Sequence, residues 1–591
     1  MLDNPIFYLA KTMWQFAAEG RRRIILYTVL FVIAYSLSLL QPIILAHVLN
    51  TIQEQGVHRE NLGYLIAFMA LLPLLDLVFW GFHGPARVLE MKNAFLVRAN
   101  YRQHLLSGTM ALPMEWHTEH HSGDTIDKIE KGSTALYRFS EHGFRIIESI
   151  VRFVGSLIAL AFFNLNTIYL VLLVVFIAIR TILAFDKKLV PQYRELNTAE
   201  NKIAAKVYDA LSNISTVIIL RVEKLIERDI VKAIRKPLAL FSQNIKLNEW
   251  KWFSASMSAG LLQFFVLGMY TVLAVRDGNT ILSGTLFALF TYTNRINDVF
   301  FMFAYLYNDV VRERAAVSNA EEIAAHFPLV VDREAETLHH WQECSVQGLG
   351  FSYGLSDGAK QQLIDVSLTW KRGEKIAVIG ESGSGKTTFL KIVRGLHTPQ
   401  AGTVTLDGRL LPNGFISMSE DIALIPQDPE IFATTIRNNI TMGVEHNESE
   451  IVQYMQMARF DGVLKRLPHG LDSSVVEKGV NLSGGEKQRL ALARGLMASE
   501  EKSILLLDES TSSVDASNEI DIYEQIFEAY RDKTVIASIH RLHLLRMFDR
   551  IYLFENGAIL ASGSFEMLLE TSDSFAEQWE KYTKTHKPRL D

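Results

Sequence analysis

From Ile24 to Gln53 the chain carries no Asp, Glu, Lys or Arg, and a second stretch, Phe153 to Ile179, carries none either. Runs of that length suffice for a helix to cross the ~30 Å hydrocarbon core of a bilayer, which takes about 20 apolar residues. A helix also satisfies its own backbone hydrogen bonds, as a segment in lipid must. The pattern stops midway. Past Pro328 charges are frequent, and no apolar run exceeds the length of a strand. The 591 residues are too many for one ordinary domain. The first half therefore reads as membrane-embedded and the second as soluble. The net charge of −6 is modest and spread out, so nothing points to nucleic acid. Cys344 is the one cysteine. It excludes an intrachain disulfide and suits a reducing compartment. The first apolar run follows Glu19-Gly20-Arg21-Arg22-Arg23 and is too long for the apolar region of a cleaved signal peptide.

Candidate spans lie at roughly 24–46, 64–86, 253–275 and 281–303, with an apolar block between about 144 and 186. Asn164-Leu165-Asn166-Thr167 near the middle of that block reads as a tight turn. Arg21, Arg22 and Arg23 place the N-terminus inside. The soluble half, if it uses ATP, must also be inside, so the crossings are even in number. The block is then a hairpin and the total is six. The loops facing out are short. Those facing in, about 87–143 and 187–252, are long, helical and rich in Lys and Arg. Before the first span, Phe7, Trp14 and Phe16 suggest an amphipathic helix lying in the interface, with an ordinary frayed terminus as the alternative.

The soluble half opens with a phosphate-gripping pattern, Gly380-Glu381-Ser382-Gly383-Ser384-Gly385-Lys386-Thr387-Thr388, between an apolar strand and a helix. Glycines there let backbone N–H groups converge on phosphate oxygens, and the helix N-terminus adds partial positive charge. Lys386 would reach the terminal phosphates, and Thr387 would ligate Mg²⁺. Downstream, the apolar strand 504–508 ends in Asp508, with Glu509 beside it. Asp508 is placed to hold the Mg²⁺ shell, and Glu509 to orient or deprotonate an attacking water.

Leu482-Ser483-Gly484-Gly485-Glu486 opens another helix, a second anion site built from backbone amides. It resembles the signature motif of ABC ATPases. The resemblance assigns further roles. Tyr353 would stack on adenine, with a buried core tyrosine as the alternative. Gln427 would contact Mg²⁺ and water and sense the membrane half. Asp515 is similar to the D-loop aspartate, and His540 to the switch histidine that contacts the γ-phosphate. Two departures stand out. Glu486 replaces a common glutamine, and "ESTSSVD" replaces the more usual "EATSALD". Both leave the phosphate and metal ligands intact, so a competent ATPase is expected.

In this family the phosphate loop of one nucleotide domain faces the signature of another. One of each implies a dimer with two shared sites. Six spans followed by one such domain resemble an exporter-type half-transporter over nearly the whole chain. The expected fold is an all-α polytopic membrane domain with long intracellular helical loops, plus an α/β nucleotide-binding domain. Expected boundaries are an N-terminal elbow helix at 1–23, the membrane domain at 24–312, a linker at 313–340 and the ATPase domain at 341–591. Short coupling helices are expected near Pro113–His117 and Arg221–Glu227, the alternative being plain solvated helices. The resemblance implies ATP and Mg²⁺, a homodimer (with a heterodimer of two half-transporters as the alternative) in a bacterial inner membrane, and export of a small molecule, lipid or peptide. An ATP-gated channel and an importer on the exporter fold stay open as alternatives.

Counting from the outer turns places Asp76, Arg152, Arg180 and Arg295 on four different spans at one depth, roughly 18–21 Å below the outer surface. Charges there should face protein or a wet cavity. They form either structural pairs, a watery inner vestibule, or a cationic shelf for an anionic substrate group, with Asp298 offsetting part of the charge.

Overall fold

The computed structural model describes residues 4–163, 165–327, 341–353, 361–428, 430–475 and 482–585. The chain divides into two compact units. One comprises Met1–Ala111 and His120–Phe327, the other Leu112–Glu119 and Pro328–Asp591.

The first unit is helical. It contains α1 (Pro5–Phe16), α2 (Arg21–Ser38), α3 (Gln41–Gln55), α4 (Arg59–Met110) and, beyond the short α5 (Met114–Glu119) of the other unit, α6 (Ser122–Glu141). It continues with α7 (Gly143–Phe163), α8 (Leu165–Ser212), α9 (Ile214–Ile219), α10 (Glu223–Arg235), α11 (Leu238–Arg276) and α12 (Ser283–Ala324). Among the described residues, five helical stretches are long and apolar enough to cross a membrane: Ala18–Gln55, Arg59–Met110, Ser122–Phe163, Thr167–Ser212 and Glu223–Arg276. α12 is a sixth long helix. The apolar block splits into α7 and α8 at Asn164, which itself lies outside the described residues.

The first expected span is broken in two. Pro42 sits at the start of α3, where it lacks an N–H and crowds the preceding turn. The carbonyls freed at the break are recaptured by α12. The Tyr292 hydroxyl donates to Leu39 O at 2.6 Å, and Arg295 Nη2 donates to Ser38 O at 3.1 Å. The core of this unit gathers Leu160, Val171, Leu262, Val266, Leu289, Tyr292 and Ile296 from α7, α8, α11 and α12. One ion pair lies wholly inside. Lys251 Nζ on α11 meets Asp186 Oδ1 on α8 at 2.9 Å, with side chains only 1% and 7% exposed. On α1, Phe7 and Trp14 are exposed, but Phe16 is not with them: its ring packs edge-on against Tyr101 at 4.8 Å.

The second unit holds two sheets. Strands β1 (Glu343–Ser352), β2 (Gln361–Lys371), β4 (Ala401–Leu406) and β5 (Arg409–Leu410) form an antiparallel sheet in the order β2-β1-β4-β5. Strands β3 (Lys375–Gly380), β6 (Ile422–Ile425), β7 (Ile504–Asp508), β8 (Thr534–Ser538), β9 (Arg550–Glu555) and β10 (Ala558–Gly563) form the other, in the order β10-β9-β3-β8-β7-β6. All its pairs are parallel except β10 with β9. β7 and β8 are buried at every residue, as strands in a parallel sheet covered on both faces should be. Parallel order brings the C-terminal ends of β3, β8, β7 and β6 to one edge, where ligands of open α/β sheets bind.

Candidate functional site

At that edge the loop after β3 turns into the helix Lys386–Val393. Gly385 makes the turn at φ +104°, and a Cβ there would sit 2.7 Å from Leu363 Cδ2 and 2.9 Å from Gln362 O. Only glycine fits. Lys386 is buried, and its Nζ donates to Gly380 O at 2.9 Å and Glu381 O at 3.1 Å. Burial pushes its ammonium pKa down, while Glu509 and Asp508 pull it back up. The Ser384 hydroxyl in the same loop is buried with no hydrogen-bond partner among the described residues. Glu381, Ser382 and Gly383 form the exposed tip, and Thr388 is buried behind it.

Thr387 Oγ1 donates to Asp508 Oδ1 at 3.0 Å. Asp508 is 3% exposed, and burial raises its pKa, with Glu509 acting in the same sense and Thr387 opposing. Glu509 stands at φ +45°, a left-handed conformation unusual for any residue other than glycine. Its two oxygens are taken by two donors: His540 Nε2 lies 2.5 Å from Oε1, and Gln427 Nε2 donates to Oε2 at 2.8 Å. Lys386, Thr387, Thr388, Gln427, Glu509 and His540 thus line one cleft of about 260 Å³, together with Gln362, Ser382, Gly383 and Gly385.

The chemistry of this cleft fits a nucleoside triphosphate with its metal. Among the described residues, an orphaned hydroxyl and a lysine bonded to its own loop's carbonyls are donors awaiting anionic oxygens. The hydroxyl and carboxylate of Thr387 and Asp508, beside the Gln427 amide, are the hard oxygen donors that Mg²⁺ prefers. A divalent cation would also relieve the charge that burial and Glu509 disfavour on Asp508. Tyr353 is 48% exposed and is no core tyrosine. Its hydroxyl reaches Thr388 Oγ1 at 3.4 Å, and its ring meets His397 edge-on at 5.3 Å.

The signature residues do not line this cleft. Ser483 caps the helix Gly484–Ala498 in a reciprocal box: Glu486 N donates to Ser483 Oγ at 3.3 Å, and Ser483 N donates to Glu486 Oε2 at 2.8 Å. The backbone N–H holds the Glu486 carboxyl below its ordinary range, and Arg466 pairs with it. Here the departure from glutamine has a local use. Leu482 is buried, and Gly485 lies so close to Ser513 that a Cβ would come within 2.7 Å of its carbonyl. Asp515 caps the next helix, Ala516–Ala529, accepting from Asn518 N at 3.1 Å and Asn518 Nδ2 at 2.7 Å.

Two residues that the motifs did not single out tie these loops together. Gln488 Nε2 donates to Gln427 O at 3.3 Å and Ser512 Oγ at 2.9 Å, while its Oε1 accepts from Ser513 N at 2.8 Å. Arg541, next to His540, donates to Val514 O at 2.7 Å, Ser512 O at 3.1 Å and Glu519 Oε2 at 3.0 Å. Their sequence signal is only adjacency to Glu486 and His540.

In the membrane unit the four charges that the count puts at one depth have different surroundings. Arg152 and Arg295 are near enough for their charges to act on each other, and Asp298 acts on Arg295. Arg152 is also paired with Glu148, one helical turn back on α7, at 2.8 Å. Arg295 is engaged in closing the α2–α3 break. Asp76 is exposed and accepts from Gln41 Nε2 at 2.7 Å rather than from an arginine. Arg180 is exposed with no ion pair among the described residues.

Comparison with known proteins matches both halves. The family described as ABC transporter transmembrane region covers residues 24–298, and that described as ABC transporter covers 363–512. ATP-binding cassette sub-family B member 6 of Mesocricetus auratus is 28% identical over 505 residues, 81% of this chain and 57% of that protein. The ATP-dependent lipid A-core flippase of Methylobacillus flagellatus is 37% identical over 222 residues, 37% of this chain and 38% of its own. The chain thus spans little more than half the length of the first curated relatives it matches. A solved structure, "Structure of a bacterial Atm1-family ABC exporter with ATP bound", shares the fold, with a TM-score of 0.83 at 22% identity over 95% of this chain and 99% of that one. Membrane module and ATPase module match in the order that the division of the sequence requires, and the chain belongs to the ABC transporter family.

Proposed function

We propose that the chain is one half of an ATP-driven exporter that works as a homodimer, and that it carries a small molecule, lipid or peptide across a bacterial inner membrane. The observation that carries the proposal is the cleft in which Lys386, Thr387, Gln427, Glu509 and His540 converge while the signature stays outside it. One chain holds half of each site, so a second copy must bring its Ser483, Gly484, Gly485 and Asp515 to complete it. We assign six crossings: α2 with α3, α4, α7, α8, α11 and α12. The N-terminus and the ATPase half lie on the cytoplasmic side, as Arg21, Arg22 and Arg23 favour.

Lys386 exchanges its own loop's carbonyls for phosphate oxygens, and Tyr353 offers its exposed face to the base. Thr387, Asp508 and Gln427 would hold Mg²⁺, which would supply positive charge against the phosphates. Glu509 orients or deprotonates the attacking water once it lets go of one of its two donors. His540, released in that exchange, turns to the γ-phosphate. ATP drives the membrane half only through its stronger binding to the closed dimer. Arg152 and Arg295 are assigned to the wall of the substrate cavity, with Arg180, Asp76 and Asp298 at its edges.

ATP-dependent uptake into inside-out vesicles tests export. The Glu509→Gln protein should bind ATP yet hydrolyse it about 10²-fold more slowly or worse, the loss typical of a missing acid–base group. Near-normal turnover by that variant would sink the assignment.

A further inference from the structure

The short helix α5 belongs with the ATPase unit, although it lies in sequence between α4 and α6 of the membrane unit. Its Glu115 Oε1 lies 2.7 Å from Nδ1 of His397, whose side chain is 6% exposed. With the carboxylate ionised, Nδ1 carries the proton and donates. The other side of the His397 ring meets two aromatic rings, Phe351 at 5.3 Å and Tyr353 at 5.3 Å edge-on. The same loop holds the end of the strand that bears Phe351 and leads into Tyr353: Ser352 N donates to Gln400 Oε1 at 2.9 Å, and Gln400 Nε2 donates to Ser352 O at 3.0 Å. His397 therefore touches the intracellular helix on one side and the base platform on the other. Its loop also follows directly from the helix that starts at the phosphate loop.

Resting on the exporter reading above, we propose that His397 is a positioning residue that ties the adenine platform Tyr353 to the first intracellular helix through Glu115. Orientation of the Tyr353 ring and seating of α5 then favour each other. Bound base steadies the helix, and a seated helix tightens binding of the base, as reciprocal linkage requires. The link acts on base recognition and not on phosphate chemistry, since among the described residues none of those proposed for catalysis touches His397.

The test uses the full-length protein in lipid nanodiscs. Glu115→Ala and His397→Phe should each raise KM for ATP about fivefold, the worth of one ordinary hydrogen bond. The turnover number should stay within about twofold, which separates binding from chemistry. The double variant should be no worse than either single, because both break one link. Glu115→Gln keeps an acceptor and should restore most of the affinity. Inhibition by tripolyphosphate, which has no base, should not change. Unchanged KM in both single variants overturns the link, as does an additive double variant or a parallel loss of tripolyphosphate binding. A protein that shows no ATP turnover before any substitution refutes the exporter reading itself, which is a different outcome.

Discussion

Asp508→Asn should stabilise the nucleotide-free protein while disabling it. Asp508 closes β7 at 3% exposure, and its carboxylate accepts one hydrogen bond, from Thr387 at 3.0 Å. Burial raises its pKa above the ordinary carboxylate value, Glu509 raises it further, and Thr387, Lys391 and Lys386 only partly offset this. An acid whose folded pKa is raised holds its proton more tightly in the fold than in the unfolded chain. Its ionised form therefore costs stability, and the cost sets in as pH rises from the unfolded pKa, about 3.9, through the raised folded value. Asparagine removes the charge and keeps a carbonyl for Thr387. The gain should be on the order of 1 kcal/mol, as at other sites where function is held against stability. That corresponds to a rise of about 2–4 °C in the melting midpoint of a domain of this size. Turnover should fall about 10³-fold, matching the several kcal/mol that a well-held metal contributes. Melting curves followed by intrinsic fluorescence, with and without Mg²⁺ and ATP, should cross. The variant leads without ligand, and the unaltered protein leads with it, because ligand stabilises only the state that binds it. The variant's lead should shrink as pH is lowered. A lower ligand-free midpoint for Asp508→Asn at about pH 8, or a lead that does not change with pH, would refute the linkage reasoning.

Three other outcomes are expected. Lys386→Ala and Ser483→Ala chains, each inactive alone, should recover activity when co-assembled, because a mixed dimer has one intact pair of phosphate loop and signature. Full activity of a purified monomer would contradict this. Lys251→Met should cost about 3–5 kcal/mol by stranding Asp186, whereas Lys251→Met with Asp186→Leu should recover most of the loss, read as folded yield and melting midpoint in detergent. Equal damage from the single and double variants would show that the pair is not the cause. Arg152→Ala and Arg295→Ala should weaken substrate-stimulated ATPase and spare the basal rate, and Arg295→Ala should also lower the melting midpoint because Ser38 O loses its donor. Normal stimulation in both, and in Arg180→Ala, removes the cavity assignment.

What could be read from the sequence is what is local along the chain. The phosphate loop is written in nine consecutive residues; the break after Ser38, which the span count at 24–46 passes over, also has a local signal, Pro42. The Ser483–Glu486 cap is a three-residue spacing that carries its own mechanism. Depth counting along a helix gives level and not face. It placed Arg152 by level and ignored the helix face, on which Glu148 sits four residues back. Other contacts had no such signal. Glu115 and His397 are 282 residues apart, and nothing in either neighbourhood announces the other. Arg295 also satisfies a carbonyl of a helix 257 residues away, which no count of depth reveals. The links among the catalytic loops are of this second kind. A single amide, Gln488, holds the backbone of Gln427 on one side and that of Ser513 on the other. Gln427 shares Glu509 with His540, and Arg541 beside His540 grips the carbonyls of Ser512 and Val514. The loop proposed to complete the partner's site is thus fastened at both ends to the residues that would meet this chain's own γ-phosphate. If two copies pair as proposed, occupancy of one site has a short, packed route to the geometry presented to the other.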